Sequence, residues 1–225
     1  MFSSPTQMKL KLISKKEETG GIWSFYFAKP DKFNYKPGQN VYLTLPKLNY
    51  PDKRGATRQF TLSSSPTEEF LTITTIIRPE SGFKKTLLET PIGTELEADG
   101  PQGEFFLDRE TDTPQVFLAG GIGITPFYSM IKFQIDNHYQ TPLTLIYSAK
   151  TTDRLVFKKD FDAWAKNDFF SWKGLTERID KTFLSKYDLT TSEVWVCGPP
   201  GMVVDLEKMV KPLAKRVYSE KFTGY

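Results

Sequence analysis

Three short stretches put ligand-holding or reactive residue types at spacings that matter. The first is Arg58-Gln59-Phe60-Thr61-Leu62, running into Ser63-Ser64-Ser65-Pro66. On a strand, side chains alternate, so Arg58, Phe60 and Leu62 face one way and Gln59, Thr61 and Ser63 the other. A guanidinium, a flat ring and several hydroxyls in one run offer an anion contact, a stacking face and hydrogen bonds together. An ordinary strand with a serine-rich turn fits the same residues. The second stretch is Gly120-Gly121-Ile122-Gly123-Ile124-Thr125-Pro126, after the apolar run Val116-Phe117-Leu118-Ala119. Glycines let a backbone approach a ligand, and the free N–H groups at a following helix start attract phosphate. Pro126 suits the first helical turn, where its missing donor costs little. The pattern departs from the dinucleotide fingerprint at the third glycine, and a plain tight turn is the alternative. The third stretch is Val194-Trp195-Val196-Cys197-Gly198-Pro199-Pro200-Gly201-Met202. An apolar strand ends in a cysteine and a stiff turn, at the kind of sheet edge where ligands sit. Viewed alone, Cys197 reads equally well as a small buried apolar side chain.

These stretches need elements to hold them. In the first half, Trp23, Phe25 and Phe27 alternate with Ser24 and Tyr26, a strand pattern. Tyr35 to Gln39 reads as a turn, with Val41, Leu43 and Leu45 alternating after it. Gln59 to Leu62 and Leu71 to Ile77 read as further strands. Leu96 to Phe106, punctuated by Gly100, Pro101 and Gly103, reads as strand, tight turn, strand. A short helix is expected from Lys84 to Glu89, stopped by Pro91. Many short strands at such spacing predict an antiparallel β-barrel over residues 1–110. Past a polar stretch at Arg109 to Pro114 the rhythm changes. Strands at Gln115 to Ala119, Leu143 to Tyr147 and Val194 to Cys197 alternate with helices at Phe127 to Ile135, Phe157 to Lys166 and Met202 to Leu213. Strand–helix alternation predicts an α/β parallel-sheet domain over residues 111–225.

Composition narrows the chemistry. The 225 residues are 39% hydrophobic and 25% charged, ordinary for a globular protein that builds its own core. The net charge is only +3, shared evenly between the halves, so no basic block points to nucleic acid. One cysteine and one histidine exclude an intrachain disulfide, and they exclude a zinc site or cysteine-held iron–sulfur cluster built from this chain alone. No run approaches the ~20 apolar residues of a membrane span, and the first twenty residues lack the apolar segment of a signal peptide. The expectation is a soluble cytoplasmic protein with no membrane insertion. His138 falls near the end of an expected helix and reads as a surface residue, and no Gly-x-Ser-x-Gly elbow supports a serine hydrolase.

Taken in order, the three stretches resemble the ferredoxin–NADP reductase family. That family carries an arginine–x–aromatic–hydroxyl segment on a barrel strand, a Gly-Gly-x-Gly-x-x-Pro turn and a Cys-Gly-Pro-Pro turn. They are matched at Arg58 to Thr61, Gly120 to Pro126 and Cys197 to Pro200. A Pro-Gly-Gln turn at Pro37 to Gln39 and a Gly-Pro-x-Gly-x-Phe segment at Gly100 to Phe105 extend the resemblance from about Tyr35 to the C-terminus.

The resemblance implies a barrel that binds FAD, or FMN, and a nucleotide domain that takes NAD(P)H as co-substrate. Arg58 would pair with the flavin pyrophosphate, Phe60 would stack on the isoalloxazine where relatives often have tyrosine, and Thr61 would approach flavin N5. Gln59, Ile76, Ile77 and Arg78 would line the cofactor. Gly82, Phe83, Lys85 and Thr86 would form the helix start that meets the pyrophosphate, whereas Lys84 reads as a solvated helix face. Gly120, Gly121, Ile122, Gly123, Thr125 and Pro126 would cradle the nicotinamide dinucleotide's pyrophosphate. Cys197, with Gly198 and Pro199, would sit beside the nicotinamide. Ser148, Lys150 and Arg154 would choose between NAD and NADP, leaning to NADP. Tyr225 would cover the flavin, and Glu220 would be a polar neighbour of the reacting atoms. The implied activity is hydride transfer from NAD(P)H to flavin and onward electron transfer to a separate ferredoxin, flavodoxin or small-molecule acceptor. A reductase component of a multicomponent oxygenase, a flavin reductase, or a non-enzymatic flavin- or nucleotide-binding sensor would use the same fold.

Overall fold

The long first strand shows how this chain begins its core. In the computed structural model, which describes residues 6–222, β1 spans Thr6–Thr19 and buries Leu10 and Leu12 completely while Lys9 and Lys11 stay at the surface. β2 (Ile22–Ala28) pairs with it antiparallel and buries Phe25 and Phe27 beside them. β3 (Asn40–Thr44), β4 (Thr57–Thr61), β5 (Phe70–Ile76) and β6 (Glu95–Gln102) complete a six-stranded antiparallel sheet in the order β4-β3-β6-β1-β2-β5. A bridge between Leu62 and Ile73, with the Ser63 N–H donating to the Thr72 carbonyl at 2.8 Å, joins the two outer strands and closes the sheet into a barrel. Val41, Leu43, Phe60, Leu62, Leu71 and Ile73 fill it.

Between β5 and β6 lies α1 (Gly82–Glu89), capped by Ser81, whose hydroxyl accepts from the Lys84 N–H. Its Phe83 and Leu87 plug one end of the barrel. One sequence expectation is corrected here. Leu96 to Phe106 is not strand, turn, strand. β6 runs through Gly100-Pro101 because both faces of the ladder continue there, Gly100 opposite Thr6 and Gln102 opposite Asn40. The break comes only at Gly103, whose φ of +99° suits glycine alone.

The second sheet is parallel throughout. β7 (Gln115–Gly120), β8 (Leu143–Ser148), β9 (Phe170–Leu175), β10 (Glu193–Gly198) and β11 (Arg216–Lys221) stand in the order β11-β10-β7-β8-β9. A tight 3-10 turn at Gly121–Ile124 leads from β7 into α2 (Thr125–Asp136), and α3 (Lys158–Trp164), α4 (Lys181–Leu184) and α5 (Pro200–Val210) follow in the crossovers. Sequence periodicity marks neither β9 nor β11. Both are edge strands in which Ser171, Lys173, Ser219 and Glu220 dilute the apolar signal. β7 and β10 are buried along their whole length, as central parallel strands are. Alternate residues split between two cores. Val194 and Val196 pack towards α5, and Trp195 and Cys197 face the core shared with α2. That core also takes Ile22, Phe105 and Leu107 from the N-terminal part of the chain, so the two sheets are joined by apolar packing. The α2 hydroxyl of Ser129 donates to the Ser64 carbonyl at 2.6 Å across the same seam.

Candidate functional site

The chain runs along the parallel sheet in one direction from β7 through β8 to β9, then returns to place β10 on β7's other side. The reversal leaves a switch point between the carboxyl ends of β7 and β10, the place where such sheets bind ligands. It opens onto a cleft whose opposite wall is the barrel strand β4. Arg58, Phe60 and Thr61 line that wall, and Ile122, Thr125 and Glu220 come from the parallel sheet's side. Gln59, exposed on β4, reaches its edge. Thus six residues from the first two stretches and Glu220 from the C-terminal part of the chain meet in one cavity.

The barrel wall is rich in cations. Arg54, Arg58 and Lys84 all border the cleft. The sequence reading took Lys84 as a solvated helix face, and the structure corrects this. Lys84 is buried, because it stands on the α1 face between the core residues Phe83 and Leu87, whereas Lys85 is half-buried with its ammonium 3.8 Å from the centre of the Tyr50 ring. Burial, reinforced by the charges of Arg78, Arg54 and Arg58, pulls the Lys84 pKa down to about 8. Arg58 is enclosed by the chain itself. Its guanidinium donates to the carbonyls of Arg54, Gly55 and Thr57 at 2.7–2.9 Å and pairs with Asp52, both side chains being more than nine-tenths buried. Asp52 also takes the Phe83 N–H at 3.0 Å, and so occupies the start of α1. Gly82 must be glycine because a Cβ there would lie 2.4–2.6 Å from the carbonyls of Pro51 and Tyr50. Thr86 is likewise turned to the protein, donating to the Gly82 carbonyl and accepting from the Asn49 N–H.

Behind Thr61 and Phe60 lies a chain of buried hydroxyls. Ser24 and Thr74 are 2.8 Å apart, and Thr74 and Ser63 2.9 Å. Thr74 and Thr75 both reach the cleft. Sequence reasoning passed over them, although Thr74 on the non-core side of the alternating Leu71-Thr72-Ile73-Thr74 run was a signal. Ile76 and Ile77 lie half-buried at the end of β5, each packing towards a different core, and Arg78 follows them.

The opposite wall uses backbone. A Cβ on Gly123 would lie 2.5 Å from the Cys197 carbonyl oxygen, and one on Gly120 would strike Met202 and Pro199. Close packing of the β7 and β10 turns therefore accounts for both glycines. Gly121 differs. Its φ is +53° and a Cβ there would meet nothing within 4 Å, so the backbone at Gly121 is open. Pro126 stands in the first turn of α2, and Gly198 rests on Gly120. Cys197 is fully buried, and burial together with the nearby Glu220 charge pushes its thiol well above the ordinary range. It is an uncharged thiol, not a thiolate nucleophile. Glu220 lies opposite Cys197 on β11, and its Oε2 is buried without a hydrogen-bond partner among the described residues. Burial raises its pKa to about 7.

Ser148, Lys150 and Arg154 stand apart from the cleft, at and beyond the carboxyl end of β8. The Ser148 hydroxyl donates to the Glu177 carbonyl at 2.6 Å, Lys150 is exposed, and the Arg154 side chain lies beside Gly20 of the barrel. Tyr225 lies outside the described residues. Phe222, three residues earlier, lines the cleft and donates its N–H to the Gly198 carbonyl. Among the described residues no group of three His, Cys, Asp or Glu side chains could hold a metal ion, and no helix is long and apolar enough to cross a membrane.

An antiparallel barrel faces a parallel sheet across the cleft, with cations on one wall and a glycine turn on the other, an arrangement suited to a phosphate-bearing nucleotide cofactor. Comparison with known proteins agrees. Residues 117–208 match the oxidoreductase NAD-binding domain. The chain is 31% identical over 216 residues to the glycine betaine monooxygenase reductase subunit of Chromohalobacter salexigens, covering 87% of this chain and 58% of that one. It spans little more than half the length of the first curated relatives it matches. The fold is shared with the cytochrome P450 reductase GcoB of Amycolatopsis (TM-score 0.84, 20% identity, 99% of this chain and 72% of that one). It is also shared with ferredoxin-NADP+ reductase from Plasmodium falciparum (TM-score 0.82, 17% identity, 96% of each). The matched domain and the relatives indicate the ferredoxin reductase-like family of FAD- and NAD-binding proteins. Its cleft fits that chemistry on its own terms. Three cations answer a phosphate-bearing cofactor, and the buried hydroxyls and the Phe60 ring answer a flat heterocycle with polar edges.

Proposed function

We propose that the chain accepts a hydride from NAD(P)H onto bound FAD and passes the electrons to a separate protein acceptor. Bound flavin supplies the step between a two-electron donor and one-electron acceptors. The observation that carries the reading is the meeting of β4 with the β7 and β10 turns in one cleft.

The residues divide the work. Arg54, Arg58, Lys84 and the start of α1 hold the flavin's phosphates, and Phe60, Thr61 and the Thr74 hydroxyl chain hold its ring. Gly121, Thr125 and the surrounding turn receive the dinucleotide phosphates, with Cys197 packing beneath the nicotinamide as a neutral, compact thiol. Glu220 holds a proton near neutral pH at the carboxyl end of β11 and supplies a polar contact beside the reacting rings. Lys150 and Arg154 favour NADPH through its additional phosphate. The boundary between a flavin-binding unit and a nucleotide-binding unit falls near residue 110, between β6 and β7, in a cytoplasmic protein. Anaerobic mixing tests the core of this. NADPH should bleach the flavin absorbance, and failure with both NADPH and NADH would leave a sensor or binding module instead.

The acceptor is a ferredoxin, a flavodoxin or an oxygenase component. The last is favoured by the 31% identity to an oxygenase reductase subunit. Turnover assays with each acceptor class distinguish them, and reduction of free flavin alone would mark a flavin reductase.

A further inference from the structure

We propose that Asp52 is a displaceable stand-in for a phosphate, which closes the flavin's phosphate subsite until a diphosphate-bearing flavin drives it out. The inference rests on reading the cleft as the FAD site. The loop between β3 and β4 carries Asp52 onto the start of α1. One carboxylate oxygen takes the Phe83 N–H at 3.0 Å and the Ser81 hydroxyl at 3.3 Å. The other takes the Arg54 N–H at 3.0 Å and the Arg58 guanidinium. A helix-start N–H, a hydroxyl and a guanidinium converging on one anion are the donor set of a phosphate site. Here a side chain of the same protein fills it.

Two further observations say the arrangement is provisional. First, the charges do not balance. Arg54, Arg58 and Lys84 border the cleft, and Asp52 is the carboxylate bound among them, so a dianion has more to gain there than a monoanion. Second, the tip of the loop lies at the surface. Lys53, Arg54 and Gly55 are exposed, and the segment from Pro46 to Ala56 contains no strand or helix. Two anions cannot share the Phe83 N–H and the Arg58 fork, so Asp52 must leave for a phosphate to arrive. The apparent affinity for FAD is then lowered by the fraction of molecules in which Asp52 is seated.

The test compares ligands with and without phosphate. Flavin-free protein and Asp52→Asn are titrated with FAD and with riboflavin, following flavin fluorescence. Asn keeps the shape and removes the charge. The expected result is FAD binding on the order of tenfold tighter in the variant, with riboflavin unchanged. Equal or weaker FAD binding by the variant would overturn the proposal, and would leave Asp52 as a fixed support that orients Arg58. FAD binding to neither protein would overturn the flavin site itself. Hydrogen exchange on the unaltered protein gives a second reading that needs no variant. FAD should speed exchange in residues 46–57 while slowing it in 82–86, and riboflavin should do neither. Slower exchange in both segments with FAD would count against displacement.

Discussion

The two walls of the cleft solve the same problem by opposite means. The barrel wall collects charge, with Arg54, Arg58 and Lys84 set about the start of α1. The parallel-sheet wall collects backbone, with Gly120 and Gly123 packed against the β10 turn, Gly121 open beside them, and no basic side chain in the turn itself. On the charged wall Asp52 bonds both the start of α1 and Arg58, and its proposed displacement would rearrange that wall. A wall made of turn packing has less such freedom, because a Cβ on Gly123 would meet the Cys197 carbonyl and one on Gly120 would meet Met202 and Pro199. Adaptable regulation therefore belongs to the barrel side and fixed geometry to the sheet side.

The largest effect should come from breaking the fixed side. Gly123→Val puts side-chain atoms where the Cys197 carbonyl already stands, and should cost about 3 kcal/mol or more of stability by denaturant unfolding. On the charged side, Lys84→Met should stabilise the protein at neutral pH by about 2 kcal/mol while weakening FAD binding. Lys84 has a folded pKa near 8, below its unfolded value of 10.5. Its charged form is disfavoured on folding, fully so below pH 8, and the difference from the variant should fade as pH rises towards 10.5.

Glu220 sits between the walls and titrates with the opposite sign. Its folded pKa near 7 lies above the unfolded value of 4.5, so the folded state binds the extra proton. Stability should fall as pH rises from about 4.5 to 7 and level off beyond. Glu220→Gln should remove that slope and gain about 2 kcal/mol at pH 8. A flat stability profile in the unaltered protein between these pH values would show that Glu220 is solvated. Replacing Lys150 and Arg154 by alanine should raise the KM for NADPH about tenfold relative to NADH, a smaller effect confined to one substrate. Smallest is Gly121→Ala. It should cost only about 1 kcal/mol for its left-handed φ, since a Cβ there meets nothing. That variant sharpens the comparison, because it should fold and yet report on dinucleotide affinity at the open glycine of the β7 turn.

Much of this architecture was legible in the chain. Buried strands declare themselves when every residue is apolar, as in β7 and β10, or when residues alternate cleanly, as in β2. β9 and β11 were hidden because edge strands carry polar residues on a solvent side. Residues of the motifs at Arg58 and Gly120 line the cleft, whereas Cys197 is buried behind it. Their partners did not stand out. Arg54, Thr74 and Thr75 belong to no motif, and Lys84 and Lys85 are adjacent residues of one type whose fates differ by a single 100° step around a helix.

The amino-acid sequence by itself determined the two kinds of sheet, their order along the chain and the residue types available to hold a phosphate-bearing cofactor, since these follow from local periodicity and composition. Only the tertiary structure decided which lysine is buried, which glycines are needed for packing and which for φ, and that Asp52 takes the start of α1. Those outcomes depend on contacts between residues far apart in the chain, such as Pro51 against Gly82 or Gly123 against Cys197, and local sequence carries no record of what will be brought against it.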